Sequence, residues 1–146
     1  MNIAIVGATG NVGRKILKVL ENKSFPVDSL YLVASSKSAG SKLKFKGKEI
    51  EVENLETFDF SKSEITFFSA GGKISEKYAP LAAKHSLVID NSSYFRMDPD
   101  VPLIVPEVNS HDLKNYKKKN IIANANCSVI PLVVALKPLH DLYNIK

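Results

Sequence analysis

Tryptophan is absent from these 146 residues, methionine occurs twice and cysteine once. A single cysteine excludes an internal disulfide framework and any cysteine-rich zinc site, and no metal is expected. No apolar run approaches the roughly 20 residues that a membrane span needs, so no membrane partner is expected. The first residues pass directly into Asn2-Ile3-Ala4-Ile5-Val6. They lack both the basic stretch and the small-residue cleavage site of a secretory signal, and the expectation is a cytoplasmic location. Lysines cluster at Lys117–Lys119 and alternate through Lys42–Lys46, without a run of interleaved stacking aromatics. That pattern speaks against a nucleic-acid partner.

What the chain does have is a content of 45% hydrophobic and 24% charged residues, ordinary for one globular domain with a real core. The net charge of +5 suits a protein that handles anionic ligands. Residues 2–6 read as a short, continuously apolar strand. A helix is expected from Asn11 to Glu21, with Val12, Ile16, Val19 and Leu20 on its buried face. Leu30–Ala34 reads as the second strand. Leu43–Phe45 and Glu49–Val52 flank Gly47-Lys48 as a hairpin. Strands follow at 64–69, 87–90 and 120–123, with a helix over 74–85. Residues 94–110, with three prolines, read as an irregular loop containing one short extended piece at 103–105. A last helix is expected from Cys127 to Pro138, with Pro131 in its first turn, where the missing N–H does no harm. Apolar strands alternating with helices predict an α/β fold: a Rossmann-like, doubly wound, mostly parallel sheet covered on both faces.

Three segments carry chemistry. Gly7-Ala8-Thr9-Gly10-Asn11-Val12-Gly13 joins the first strand to the first helix. Its glycines permit a tight turn and close approach of backbone to a pyrophosphate seated on the helix N-terminus. The end of the second strand sets cofactor choice. An acidic residue there would bind the ribose 2′-hydroxyl of NAD, but Ser35-Ser36-Lys37-Ser38 instead offers hydroxyls and a cation, which suit the 2′-phosphate of NADP. Arg96, in the Asp90–Asp98 loop after another strand, presents a rigid donor fork for carboxylate or phosphate. The lone Cys127 sits where a strand gives way to a helix. Unpaired N–H groups and the positive dipole end there favour a thiolate. The competing reading is a buried, inert cysteine; the polar neighbours Asn124, Asn126 and Ser128 weigh against it.

Together with Ala34–Gly40, Ser69-Ala70-Gly71-Gly72, Val105–Asn109 and Asn124–Ile130 followed by Val133–Leu139, these motifs resemble, in order and spacing, aspartate-semialdehyde dehydrogenase. The resemblance implies an NADP-dependent oxidoreductase of amino-acid biosynthesis, on the way to diaminopimelate, lysine, threonine and methionine. Such an enzyme interconverts aspartyl phosphate with aspartate semialdehyde and phosphate through a cysteine thioester. It implies Cys127 as the nucleophile. Arg96 would bind phosphate or acyl phosphate, and Asn126 would line the substrate site. The pyrophosphate contacts would fall at Thr9–Val12, those to the 2′-phosphate at Ser35–Ser38, and Gly72 would lie near the nicotinamide.

The resemblance is incomplete. Ala125 replaces a common proline, Pro131 a common glutamine, and Lys37 a frequent arginine. Family members are roughly twice as long. Their further half is implied to carry a substrate-orienting glutamine, a histidine acid/base, a second substrate arginine and most of a homodimer interface. His85, His111 and His140 match none of these. The expected organisation is therefore an NADP-binding domain over residues 1–126, then residues 127–146 opening a catalytic and dimerisation domain, in a truncated form. The alternatives are a non-catalytic NADP-binding module and N-acetyl-glutamyl-phosphate reductase, whose cysteine neighbours differ from Asn126 and Ser128. A short-chain dehydrogenase would need Tyr-x-x-x-Lys, which no tyrosine here provides.

Overall fold

The computed structural model describes residues 1–145. Lys146, the last residue of the expected second segment, lies outside the described residues. The strands are β1 (Asn2–Val6), β2 (Ser29–Ala34), β3 (Lys42–Phe45), β4 (Lys48–Asn54), β5 (Ile65–Phe68), β6 (Leu87–Asp90), β7 (Leu103–Ile104) and β8 (Ile121–Asn124). Within the described residues they form one sheet in the order β3-β4-β2-β1-β5-β6-β8-β7. Only β3 and β4 pair antiparallel; every other pairing is parallel. The helices are α1 (Asn11–Asn22), α2 (Gly72–Ala82), the one-turn α3 (Pro106–Asn109) and α4 (Val129–Tyr143).

Alternation along the central strands feeds two cores. Ile3 and Ile5 of β1, with Leu32 and Val52, pack on one face under Leu17 and Leu20 of α1 and under Phe45. Ala4 and Val6, with Val33, Phe68 and Val88, pack on the other face under Ala79 and Ala82 of α2 and a run of phenylalanines, Phe58, Phe60 and Phe95. Burying each Leu or Phe contributes about 1.5–3 kcal/mol. Helices on both faces of a mostly parallel sheet make the architecture Rossmann-like and doubly wound, as the sequence predicts.

Four details depart from the sequence-based expectations. Val12 and Val19 do not lie on the buried face of α1: they are 51% and 46% exposed, while Leu20 is buried as expected and Gly13 and Leu17 are buried beside it. A residue without a side chain lets the helix approach the β1 loop at Gly13, and this rotates the apolar valines outward. The hairpin turn falls on Lys46-Gly47, both at positive φ (48° and 77°), one residue before the expected pair. Two successive residues at positive φ match the twist of the strands they join. The segment after β6 is less irregular than its prolines suggest, with 3-10 turns at Tyr94–Met97 and Ser110–Lys118 around β7 and α3. Finally, α4 begins at Val129 and passes through Pro138 to Tyr143. Pro138 is exposed, so the carbonyl four residues earlier, which loses its N–H partner, can be hydrated.

The sheet edges are protected. β3 presents Lys42 and Lys44 outward while Phe45 is buried, and β7 is only two residues long; both features discourage pairing with another chain. Among the described residues no helix is long and apolar enough to cross a membrane.

Candidate active site

β2 lies on one side of β1 and β5 on the other. The chain therefore leaves the end of β1 in one direction and returns on the opposite side, and a crevice opens between the loops at this switch point. A cleft of about 270 Å³ occupies it, lined by Gly7, Thr9 and Gly10 after β1, Ser35 after β2, Leu55 after β4, and Ser69 and Ala70 after β5. Backbone geometry makes the glycines necessary. Gly7 has φ +86°, and a Cβ there would lie 2.9 Å from the backbone of Ser69. A Cβ on Gly13 would lie 2.2 Å from the Gly7 carbonyl oxygen. The Gly7 and Ala8 N–H groups donate to the Val33 carbonyl (2.8 and 3.2 Å), and the Gly10 N–H donates to the Gly7 carbonyl (3.0 Å). The turn is thus fixed to β2 and to itself.

The loops after β1 and β2 also meet through side chains, Thr9 Oγ1 lying 3.5 Å from Ser38 Oγ. Ser35, Ser36 and Lys37 are exposed beside it. Asn11 and Val12 stand exposed on the first turn of α1, while Gly13 is buried beneath the loop. Gly72 is the first residue of α2, across the crevice from α1, and follows Gly71 at φ +91°. Sequence reasoning did not single out Leu55 or the contributions of Ser69 and Ala70 to the cleft. Leu55 carries no local signal at all, whereas Ser69-Ala70 precedes a Gly-Gly pair at a strand end.

A second cluster sits at the ends of β6 and β8. Arg96 Nε donates to the Asn124 carbonyl (3.0 Å) and Nη2 to the Asn91 carbonyl (3.1 Å). Asn124 Nδ2 in turn donates to Asn91 Oδ1 (2.8 Å). One edge of the guanidinium is thereby clamped to the strand ends. The other edge, Nη1 with Nη2, retains the geometry for a bidentate anion. The loop bearing Arg96 is held by Asp90, which is fully buried. Its carboxylate accepts from Ser75 Oγ (2.8 Å), Ser92 N–H (2.9 Å) and Ser92 Oγ (2.7 Å). A buried carboxylate with three donors tolerates burial, and here it ties α2, β6 and the Arg96 loop into one body.

Cys127 lies three residues beyond Asn124 and is an exposed free thiol. The buried-cysteine alternative is thereby set aside. The Val129 and Ile130 N–H groups both donate to the Asn126 carbonyl (2.9 and 3.0 Å). Asn126 Oδ1 accepts from the Ser128 N–H (2.9 Å). Asn126 therefore caps the turn that leads into α4, and Cys127 rides on that turn. Arg96 and Cys127 are thus linked through one short strand end, and the glycine-rich cleft lies along the same edge of the sheet.

Two groups near Arg96 have shifted ionisation. The Tyr94 hydroxyl is pushed up because it donates to Glu76 Oε1 (3.0 Å). The Asp98 carboxyl is held below its ordinary 3.8, first by the Lys119 ammonium (2.6 Å) and then by the Asp100 N–H. A lowered folded-state value means that Asp98 stabilises the fold fully above about pH 4 and that this contribution is lost as the pH falls through the lowered value. Lys119→Met is expected to flatten the acid side of the stability curve below pH ~4, measured by thermal melts against pH. An unchanged acid limb would show that the pair contributes nothing.

Fold and cleft define a Rossmann-like nucleotide-binding domain. The chain belongs to the semialdehyde dehydrogenase family, whose model, described as "Semialdehyde dehydrogenase, NAD binding domain", matches residues 2–116. Among curated relatives, the aspartate-semialdehyde dehydrogenases of Aquifex aeolicus and Campylobacter jejuni are 59% and 54% identical over 99% of this chain. The chain spans 43% of the length of each. Among solved structures it is similar to aspartate semialdehyde dehydrogenase II from Vibrio cholerae complexed with ASA, at TM-score 0.94 and 52% identity. That match covers 96% of this chain and 46% of the other. It is also similar to aspartate semialdehyde dehydrogenase with NADP from Candida albicans, at TM-score 0.74 and 26% identity, covering 99% of this chain and 48% of that one.

Proposed function

We propose that this chain is the NADP-binding and nucleophile-bearing part of an aspartate-semialdehyde dehydrogenase. It would act in amino-acid biosynthesis on aspartyl phosphate, or in reverse on aspartate semialdehyde and phosphate. The observation that carries the proposal is the placement of Arg96 and Cys127 at neighbouring strand ends, on the same sheet edge as the glycine cleft. Residues 1–126 would form the cofactor domain, and α4 would open a catalytic and dimerisation domain. A cytoplasmic location and a homodimer accompany this assignment.

The loop fits a dinucleotide because Gly7 and Gly13 let the turn close against the Ser69 backbone and under the start of α1, contacts that a Cβ at either position would block. A turn this tight brings backbone N–H groups and the helix N-terminus to a pyrophosphate. The pyrophosphate would lie over Thr9–Val12 at the start of α1, and the adenosine end would reach Ser35–Ser38. Gly72 would adjoin the nicotinamide. Bound NADP would supply hydride exchange at the substrate carbon.

The Cys127 thiolate would add to the aldehyde carbon, forming the Sγ–C bond as the carbonyl electron pair moves onto oxygen. After oxidation the same sulfur holds the acyl group as a thioester. Phosphate on the free edge of Arg96 would then attack the acyl carbon, and the thiolate would leave. Asn126, which caps the nucleophile's own turn, would keep Cys127 oriented toward that carbon. Biosynthesis runs these steps in reverse.

Cofactor choice gives a direct test. Titration calorimetry is expected to show tighter binding of NADPH than of NADH. Ser35→Asp is expected to weaken NADPH by tenfold or more, through repulsion of the 2′-phosphate, with little loss for NADH. Equal binding of the two cofactors by the unaltered chain would reject the NADP assignment.

A further inference from the structure

Lysine outnumbers arginine eighteen to two in this chain. The ion pairs among the described residues use lysine, His111 or the terminal amine, and neither arginine joins one. Both arginines are instead fastened to backbone carbonyls beside the proposed ligand sites. Arg96 is bound in this way near Cys127. The other is Arg14, which immediately follows the last glycine of the cofactor loop.

Arg14 Nε donates to the Thr9 carbonyl at 2.9 Å. Thr9 lines the cleft, and its hydroxyl lies 3.5 Å from Ser38 Oγ. These two contacts in series put a guanidinium next to the junction of the loops after β1 and β2. Tying Nε to the loop restrains a side chain that is otherwise exposed. Nη1 and Nη2 keep no protein partner among the described residues. The positions three and four residues away on α1 hold Asn11, Leu17 and Lys18, with Gly10 before the helix, so the helix itself offers no carboxylate to Arg14. A planar fork tied to Thr9, whose hydroxyl reaches Ser38 in the turn that also carries Ser35 and Lys37, suits a phosphate bound at that turn, which rewards arginine over lysine through paired, charge-assisted bonds.

Resting on the NADP assignment above, we propose that Arg14 binds the ribose 2′-phosphate together with Ser35, Ser38 and Lys37, and so sets the preference for NADP over NAD. The preference then has its main cation on the first turn of α1, tied to the loop after β1, while the turn after β2 contributes hydroxyls and Lys37.

Calorimetry on the unaltered chain, Arg14→Ala and Arg14→Lys, each with NADPH and with NADH, tests this. Loss of charge-assisted bonds is expected to weaken NADPH binding about ten- to hundredfold in Arg14→Ala. NADH should change less than about twofold, so that the preference collapses. Arg14→Lys keeps the charge without the fork and should fall between the two. Thermal melts of both variants should match the parent, because Arg14 is exposed. Equal weakening of both cofactors would overturn the proposal and make Arg14 a support for the loop; unchanged binding of both would overturn it as well. A parent chain that binds NADH as tightly as NADPH fails at the earlier step, before any substitution is made, and rejects the NADP assignment itself.

Discussion

Gly13→Ala is expected to abolish cofactor binding and to lower the thermal midpoint by roughly 10 °C. The added Cβ would stand 2.2 Å from the Gly7 carbonyl oxygen and 2.8 Å from Ala8 Cα, both backbone atoms. Neither can swing aside as a side-chain tip could. Gly7 is itself constrained, since it sits at φ +86° against the Ser69 backbone and donates to the Val33 carbonyl. The helix must therefore move away from β1, which loosens the packing of Leu17 and Leu20 and opens the loop. Forcing extra volume into a packed site costs about 1–3 kcal/mol, and contact with backbone belongs at the upper end. For a chain of this size, each kcal/mol shifts the midpoint by about 2–8 °C. Gly72→Ala supplies the contrast. Its Cβ would meet only Ser93 Oγ and Tyr94 Cβ at 3.8 Å, ordinary contact distances, so its midpoint should stay within a degree or two. A Gly13→Ala chain that bound NADPH with parental affinity would show that the loop does not need this close approach.

The contrast between those two glycines bears on what a sequence discloses. The strand, glycine turn and helix at residues 2–22 are legible because a local rule governs each part: a continuous apolar run, a turn needing positive φ, and a period near 3.6. The hairpin at 42–54 is legible for the same reason. The polar stretch around Cys127 shows that a strand ends there, and Asn126 has the residue type of a cap. What escapes is convergence between distant segments. Leu55, Ser69 and Ala70 reach the cleft only because β2, β1 and β5 are neighbours. Asp90 is recruited by Ser75, fifteen residues earlier, and looks in sequence like one more loop carboxylate. The outward turn of Val12 and Val19 follows from a helix set by its glycine contact rather than by its most apolar stripe. Pro138 misleads because a helix with an exposed side can tolerate one missing bond. Arg14 is silent in sequence, since a cation in the first turns of a helix has no distinctive spacing, and it gains meaning only from its bond to Thr9.

The larger expected effect concerns turnover. With aspartate semialdehyde, phosphate and NADP, this chain alone is expected to form NADPH at least about 10²–10⁴-fold more slowly than a full-length relative, even though it binds cofactor. The loops proposed to hold the cofactor are local, and they lie together at one edge of the sheet. Catalysis asks for more, because the thiol adduct must lose a proton as hydride leaves, and positioned acid–base help is typically worth that factor. Among the described residues no side chain hydrogen-bonds to Cys127 Sγ, which is exposed. The three histidines lie elsewhere: His85 just beyond α2, His111 in the 3-10 turn over 110–118, and His140 near the end of α4. Substrate positioning would be weak for the same reason, since among the described residues Arg96 is the cation fastened at that strand end. The apolar side chains of α4, including Leu132, Leu139 and Leu142, are 56%, 48% and 76% exposed, a face that favours association and calls for assays at low concentration. Adding the remaining segment of the Aquifex aeolicus relative should raise the rate, and Cys127→Ala should remove the gain while leaving NADPH binding intact. Turnover by this chain alone at the rate of a full-length relative, abolished by Cys127→Ala, would overturn the prediction and place the acid/base within these residues.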